Sequence, residues 1–213
     1  MQTEQTKFWE SEFGKEYTDR NTFTAADWNK WYSDNFGINK DDLNKKFLDD
    51  IPKDSKILEV GCNVGQQLLA LQRMGFTNLY GIELQSYAVE KAKEQTKDIN
   101  IFKGSGFDTP FKDNYFDLVF TNGVLIHIHP NDLPTIMKEM VRVSKKYIWG
   151  FEYYAEQPTQ IKYRGHDGFM WKMDYAKKFM EVDPSLKEVK KEILPYLSEQ
   201  HKGNSDCMFL LSK

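Results

Sequence analysis

Apolar positions between residues 56 and 151 come in short blocks, separated by stretches of helical period. Residues 56–60 predict a first strand, 64–73 a helix closed by Gly75, and 79–83 a second strand. Ser86 is the expected cap of a helix reaching about residue 96. Strands follow at 99–102 and at 115–121, where Phe116, Leu118, Val119 and Phe120 make a near-continuous buried run. A helix over 133–143 and a fifth strand over 146–151 complete the series. Strands alternating with helices at this spacing predict a mostly parallel sheet with helices on both faces.

The flanks read differently. Residues 1–50 are polar yet rich in aromatics, and two helices fit at 27–35 and 40–49, capped by Thr24 and Asn39. This segment is too small to fold alone and is expected to pack on the rest as a helical cover. Residues 51–152 are expected to form the ligand-binding core. Residues 153–213 are expected to supply a substrate loop and the strands that complete the same domain. Within them, 153–168 is turn-like, 172–180 predicts a helix, and the charge run 187–192 reads as an exposed helix. The apolar stretch 189–197 stays open between types. Residues 206–211 predict a last strand at a sheet edge or in an antiparallel pair.

The chain has 213 residues, 40% hydrophobic and 29% charged, an ordinary globular composition for one sizeable domain. A net charge of -3 argues against a non-specific nucleic-acid binder. Cys62 and Cys207 are expected to be free thiols. No stretch reads as a signal peptide or an 18-residue apolar span, so a cytoplasmic protein with no membrane partner is expected. Monomer and homodimer remain open.

The candidate chemistry begins at Glu59-Val60-Gly61-Cys62-Asn63-Val64-Gly65. Gly61 follows the first strand directly, and Gly65 stands where a helix begins. Glycine permits a sharp turn and close ligand approach, and a helix N-terminus offers unpaired N–H groups. Glu83 ends the second strand, where an acid can accept hydrogen bonds from ribose hydroxyls. Asn63 and Gln66 stand where a dinucleotide fingerprint needs its second and third glycines. The loop therefore suits a ribose-bearing ligand without a pyrophosphate, which disfavours a nicotinamide oxidoreductase.

These residues resemble the first motif of class I S-adenosylmethionine-dependent methyltransferases, with Asn63 in place of the central glycine. Residues 104–111, Gly-Ser-Gly-Phe-Asp-Thr-Pro-Phe, resemble the adenine loop, with Ser105 where an aspartate is usual. Residues 115–120 resemble the fourth-strand motif, and Asn122 to His127 the loop after it. The resemblance implies a Rossmann-like class I methyltransferase fold: a mostly parallel seven-stranded sheet with an antiparallel last strand. It implies S-adenosylmethionine as cofactor, held by Glu59, Gly61, Asn63, Gly65, Glu83, Leu84, Ser105, Phe107 and Asn122, with Tyr17 and Asn21 closing from the N-terminal segment beside Arg20. Residues 9–21, Trp-Glu-Ser-Glu-Phe-Gly-Lys-Glu-Tyr-Thr-Asp-Arg-Asn, are similar to the opening of methyltransferases associated with pseudaminic acid biosynthesis. Glu152-Tyr153-Tyr154, Tyr163-Arg164-Gly165 and an acid-containing helix over 171–175 match that family's later stretches.

The implied reaction is methyl transfer to a small-molecule acceptor, an anionic or nucleotide-activated sugar of bacterial surface glycans. Histidine titrates near neutrality, so His127 is the candidate base. His129, Tyr153, Tyr163, Arg164, His166 and Lys172 are candidate substrate contacts, because arginine and lysine suit carboxylate or phosphate. His127 and His129 lack a third ligand at fixed spacing, so no metal is expected. The competing readings are a methyltransferase for a small carboxylate or amine, a nucleic-acid methyltransferase, and a non-catalytic cofactor-binding protein.

Overall fold

The computed structural model describes residues 1–213. Its centre is a seven-stranded sheet. The strands are β1 (Lys56–Val60), β2 (Asn78–Glu83), β3 (Asn100–Lys103), β4 (Phe116–Asn122), β5 (Ser144–Tyr154), β8 (Lys187–Pro195) and β9 (Ser205–Ser212), in the order β3-β2-β1-β4-β5-β9-β8. The first five are mutually parallel. β9 lies antiparallel between β5 and β8, so the last strand of the chain is internal and β8 forms the edge. β6 (Thr159–Gln160) and β7 (Trp171–Lys172) pair in a separate two-stranded ribbon.

Two apolar layers sandwich the sheet, because β-strand side chains alternate between faces. Leu58 and Val60 join the core made with α7 (Leu133–Val143) and α8 (Tyr175–Val182). Ile57 joins the opposite core, with α3 (Ala25–Phe36), α4 (Lys40–Leu48) and α5 (Gln66–Arg73). Thr24 and Asn39 cap α3 and α4 as expected, accepting from Asp27 N and Asp42 N. Two further helices, α1 (Glu4–Glu10) and α2 (Glu12–Arg20), precede them. Sequence reasoning missed both, since each is short and nearly all polar by composition.

Three local expectations are corrected. Helix α6 (Ser86–Gln95) is capped by Gln85, whose side chain accepts from Tyr87 N, and Ser86 is the first helical residue. The helix expected over 172–180 starts later, at Tyr175, because Asp174 caps it by accepting from Lys177 N. Trp171 and Lys172 are therefore strand, not the acid-containing helix that the resemblance implied. The charge run 187–192 is strand β8, not an exposed helix. Its backbone pairs with β9, and its charges reach sideways: Lys190 to Asp50, Lys46 to Glu192, Lys191 to Asp174. Ladder hydrogen bonds along an edge outweigh a local propensity worth tenths of a kcal/mol per residue.

Candidate active site

The cleft lies beyond the carboxyl ends of β1, β2 and β4, under α1 and α2. At its base, Gly61 N and Cys62 N both donate to Ile82 O, at 2.8 and 3.2 Å, which folds the chain back over β2. Gly61 sits at φ +73°, and a Cβ there would stand 2.7 Å from Val124 Cγ2. Only glycine fits both the conformation and the space. Asn63 takes φ 45° in the same turn. Its side-chain oxygen accepts from the Thr18 hydroxyl of α2 at 3.0 Å. Gly65 is the N-cap residue of α5 at φ +79°. It turns the chain into the helix and, contrary to the expectation from sequence that it holds the cofactor, does not line the cleft.

Glu83 closes β2 and faces the cleft. One carboxylate oxygen accepts from Asn63 N at 2.9 Å and the other from Gln85 N at 2.7 Å. Burial raises its pKa, while these N–H groups pull it down. Each oxygen keeps a second lone pair for a ligand hydroxyl. Leu84, Ser105 and Phe107 line the same end. Ser105 Oγ accepts from Phe107 N at 3.2 Å, which leaves its own proton free to donate.

The loop after β4 forms the other end. Asn122 and His127 line the cleft, with His127 in a single 3-10 turn, Leu125–His127. Buried Glu152 fixes this turn from β5 by accepting from Val124 N and Ile126 N, at 3.1 and 3.3 Å. Burial pushes the Glu152 carboxyl up to about 7. His127 Nδ1 lies 2.8 Å from Phe169 O. A carbonyl only accepts, so Nδ1 carries the proton and Nε2 presents a lone pair. Burial lowers the His127 pKa to about 4, so the ring is neutral near pH 7.

The N-terminal segment supplies much of the wall. Tyr17 and Asn21 line the cleft, as do Trp9, Gln5, Thr6, Thr18 and Trp28. Arg20 does not; it pairs with Glu16 on the surface. The Trp9 ring stands 4.6 Å from His127 and 5.0 Å from Tyr17. Trp28 and Tyr32 are buried against the domain, while Trp31 is exposed. Beneath the cleft, Lys40 is wholly buried, and its Nζ donates to Asn122 Oδ1 at 3.1 Å. It stands 4.0 Å from the Phe151 ring centre and 4.6 Å from that of Tyr32. No sequence signal singled out Lys40, and Trp9 entered only as the first residue of the 9–21 resemblance, with no site role expected of it. A lysine in Lys40-Asp41-Asp42 reads as a surface charge.

The residues expected to contact substrate do not assemble into one basic wall. None of His129, Tyr153, Tyr163, Arg164, His166 and Lys172 lines the cleft. Arg164 and Gly165 are the central residues of a tight turn with φ 48° and 89°. Tyr163 and His166 exchange N–H···O bonds at 2.9 and 2.8 Å across it. This matches a type I′ hairpin turn and explains the Tyr-Arg-Gly order. Arg164 is exposed at its tip. His166 packs on Phe8 and Phe13 of the cover. Tyr163 lies 4.9 Å from the His127 ring, behind the lining. Lys172 bonds Asn204 and approaches Tyr153, and His129 stacks edge-on against Trp171.

The lining includes no lysine or arginine, and its ionisable acids are Glu59 and Glu83. A pyrophosphate would meet no counter-charge there, whereas a ribose-bearing ligand meets the ribose-competent Glu83; burial pushes the Glu59 carboxyl beneath the turn well up, so it offers hydrogen bonding rather than charge. Glu59 Oε2 is buried without a hydrogen-bond partner under the turn. The residues present fit S-adenosylmethionine.

Residues 58–147 match the family described as a methyltransferase domain. Sterol 24-C-methyltransferase erg6 of Aspergillus fumigatus is 29% identical over 45% of this chain and 26% of its own length. Demethylmenaquinone methyltransferase of Bacillus licheniformis is 33% identical over 46% of this chain and 44% of its own. The chain thus spans under half the length of these curated relatives. The crystal structure of PH0226 protein from Pyrococcus horikoshii covers 97% of this chain and 98% of its own at a TM-score of 0.68 and 16% identity. Geranyl diphosphate C-methyltransferase from Streptomyces coelicolor, solved with Mg2+, geranyl diphosphate and S-adenosyl-L-homocysteine, covers 81% of this chain and 76% of its own at a TM-score of 0.64 and 13% identity. The chain has a Rossmann-like class I methyltransferase fold around a cleft that S-adenosylmethionine fits, and residues 58–147 of it match the methyltransferase domain.

Proposed function

We propose that the protein transfers a methyl group from S-adenosylmethionine to a small-molecule acceptor. The observation that carries this reading is Glu83 at the end of β2, facing the cleft beside the Gly61 turn, with no cation along the lining. The cofactor supplies an electrophilic methyl on a sulfonium, whose bonding pair stays with sulfur. The chain's part is to bind, orient and exclude water. Glu83 and Ser105 would hold the nucleoside, the 61–63 turn the methionine part, and Tyr17 and Asn21 would close over it. The matched domain and the methyltransferase relatives support the same reaction class.

A sugar acceptor of bacterial surface glycans is the finer reading. Its support is the resemblance of residues 9–21 and of Tyr163-Arg164-Gly165 to that family. An anionic part of such an acceptor would have to reach Arg164 or His166 at the rim, since the cleft itself holds no base stronger than histidine. Calorimetric titration with S-adenosylmethionine, with NAD as comparison, tests the cofactor. Binding of the sulfonium compound alone is expected, and binding of NAD alone would overturn it.

A further inference from the structure

We infer that α1 and α2 form a lid whose closure is coupled to ribose binding at Glu83, with Asn63 and Gln85 as the positioning residues that carry the coupling. This rests on the reading above that puts a nucleoside at Glu83, and goes beyond it by naming what that contact controls.

The N-terminal cover has two parts that are held differently. α3 and α4 put Trp28, Tyr32, Phe36, Leu43, Phe47 and Leu48 into an apolar core. No residue of α1 or α2 belongs to either core. The buried residues of these two helices are Gln5, Thr6, Gly14 and Thr18, and their aromatics Phe8, Trp9, Phe13 and Tyr17 are half-buried. Phe8 packs on Phe169, between β6 and β7, at 4.2 Å between ring centres. Yet Gln5, Thr6, Trp9, Gly14, Tyr17 and Thr18 form one wall of the cleft. A segment that roofs a cavity without joining the core sits at the low end of local stability. Helices of seven and nine residues are also marginal by themselves. The joint to α3 is the stretch 21–24, from the C-cap Asn21 to the N-cap Thr24.

Polar contacts therefore decide where the lid sits, and they converge on Glu83. This carboxylate is half-buried and open to the cleft. One of its oxygens accepts from Asn63 N and the other from Gln85 N. The side chains of the same two residues hold the lid. Asn63 Oδ1 accepts from the Thr18 hydroxyl at 3.0 Å, whose proton is shared with Gly14 O at 3.1 Å. Gln85 Nε2 donates to Trp9 O and Ser11 O, at 3.3 and 3.2 Å, at the corner between α1 and α2. A Cβ on Gly14 would stand 1.9 Å from Trp9 O and 3.3 Å from Gln85 Nε2, so this corner closes only with glycine there. The other hydrogen bonds from the lid to the body are Gln5 Nε2 to Gly168 O at 3.2 Å and the Tyr87 hydroxyl to Asp19 at 2.7 Å. A ribose diol on Glu83 fixes the carboxylate, the carboxylate fixes the two N–H groups, and those residues fix the lid. Such coupling is reciprocal: the closed lid tightens nucleoside binding by the factor with which the nucleoside favours closure. Closure also keeps water from the sulfonium.

Hydrogen exchange of residues 4–20 in the full chain, read by mass spectrometry, tests this. S-adenosyl-L-homocysteine and adenosine are each expected to slow exchange there about 10-fold. At equal occupancy, 2′,3′-dideoxyadenosine, which lacks the ribose hydroxyls, is expected to slow it less than about 2-fold. Equal slowing by the dideoxy compound overturns the inference, and so does bound S-adenosyl-L-homocysteine with no slowing at all. Gln85→Ser removes the amide that holds the lid but keeps a good N-cap for α6. Thr18→Val removes the hydroxyl and keeps the shape. With both substitutions together, the difference between adenosine and its dideoxy analogue should vanish in residues 4–20, while residues 66–73 of α5 exchange as in the unsubstituted protein. A difference that survives overturns the roles of Asn63 and Gln85. Failure of S-adenosyl-L-homocysteine to bind sinks the nucleoside reading itself, an outcome distinct from binding without protection.

Discussion

Lys40 Nζ donates to Asn122 Oδ1 across 3.1 Å, joining the helical cover to the end of β4. The ammonium is wholly buried among Trp28, Tyr32 and Phe151. Burial lowers its pKa to about 7, against the pull of Asp206, Glu59 and Glu152. Asn122 is thereby fixed in one amide orientation where it lines the cleft.

Lys40→Met should therefore loosen the cleft without unfolding the protein, since replacing a buried charge by a hydrophobe is often tolerated. Cofactor affinity is expected to fall about 10-fold, the loss of one hydrogen bond to a charged group worth roughly 1.5 kcal/mol. Lys40→Arg should not rescue it, because a planar guanidinium is larger than the slot between three rings. Calorimetric titration of both variants with S-adenosyl-L-homocysteine checks this.

Asp206 makes the stability of the protein depend on pH. Burial raises its pKa to about 8 from 3.8, with the Tyr196 hydroxyl pulling the other way. The folded state binds this proton more tightly than the unfolded one, so the stabilisation is complete below pH 4 and is lost as pH rises through about 8. Glu152, raised from 4.5 to about 7, acts in the same direction. His127, lowered to about 4, opposes this fall, and Lys40, lowered to about 7, offsets Asp206 above pH 7; urea unfolding at intervals from pH 5 to 7 should therefore show a falling free energy that levels above pH 7, and Asp206→Asn should flatten that fall.

Glu83 accepts from Asn63 N and Gln85 N, and so ties the glycine turn to the start of α6. Glu83→Ala leaves both donors without that partner and removes the ribose-competent acid. A stability loss of about 2 kcal/mol and loss of more than 10-fold in cofactor affinity are expected. Denaturation and titration of one preparation read both.

Gly61→Ala puts a methyl 2.7 Å from Val124 Cγ2 at φ +73°. Val124 must move, and with it the turn that carries His127. A stability cost of about 1–3 kcal/mol is expected from strain and overpacking. A shift of the His127 ring resonances is expected too. Gly75→Ala has the same kind of backbone, φ +93°, but meets nothing within 4 Å. It should cost stability and leave those resonances in place.

Cys62 and Cys207 are buried free thiols. Burial raises the Cys62 pKa well above its ordinary value and pushes Cys207 up to about 12. Thiolate is the reactive form, so neither should react with a thiol reagent at pH 8 until denaturant is added. Both should then react together.

The strand–helix alternation, the turn at Gly61 and the acid at Glu83 were legible in the sequence. Each rests on a short-range rule: an apolar run long enough for one buried strand, a residue type that alone tolerates the backbone, an acid at a strand end. Leu84, Ser105 and Phe107, expected at the cofactor site, line the cleft beyond the same strand ends. What the sequence could not determine was anything fixed by contact between distant segments. Residues 187–192 carry a helix-like charge run and became strand because β9 offered a ladder. Arg164 and Lys172, expected together as substrate contacts because they are near in sequence, are parted by the fold, one at a turn tip and the other on Asn204. Neither Trp9 nor Lys40 was expected at the site, and Lys40 sits in a run that reads as surface charge. Only the folding of the N-terminal helices over β4 set one against His127 and the other against Asn122. Local periodicity encodes elements and turns; the partners of a side chain across the sheet are encoded by the packing of all the elements together, and that is where the surroundings of His127 and Asn122 in this cleft were decided.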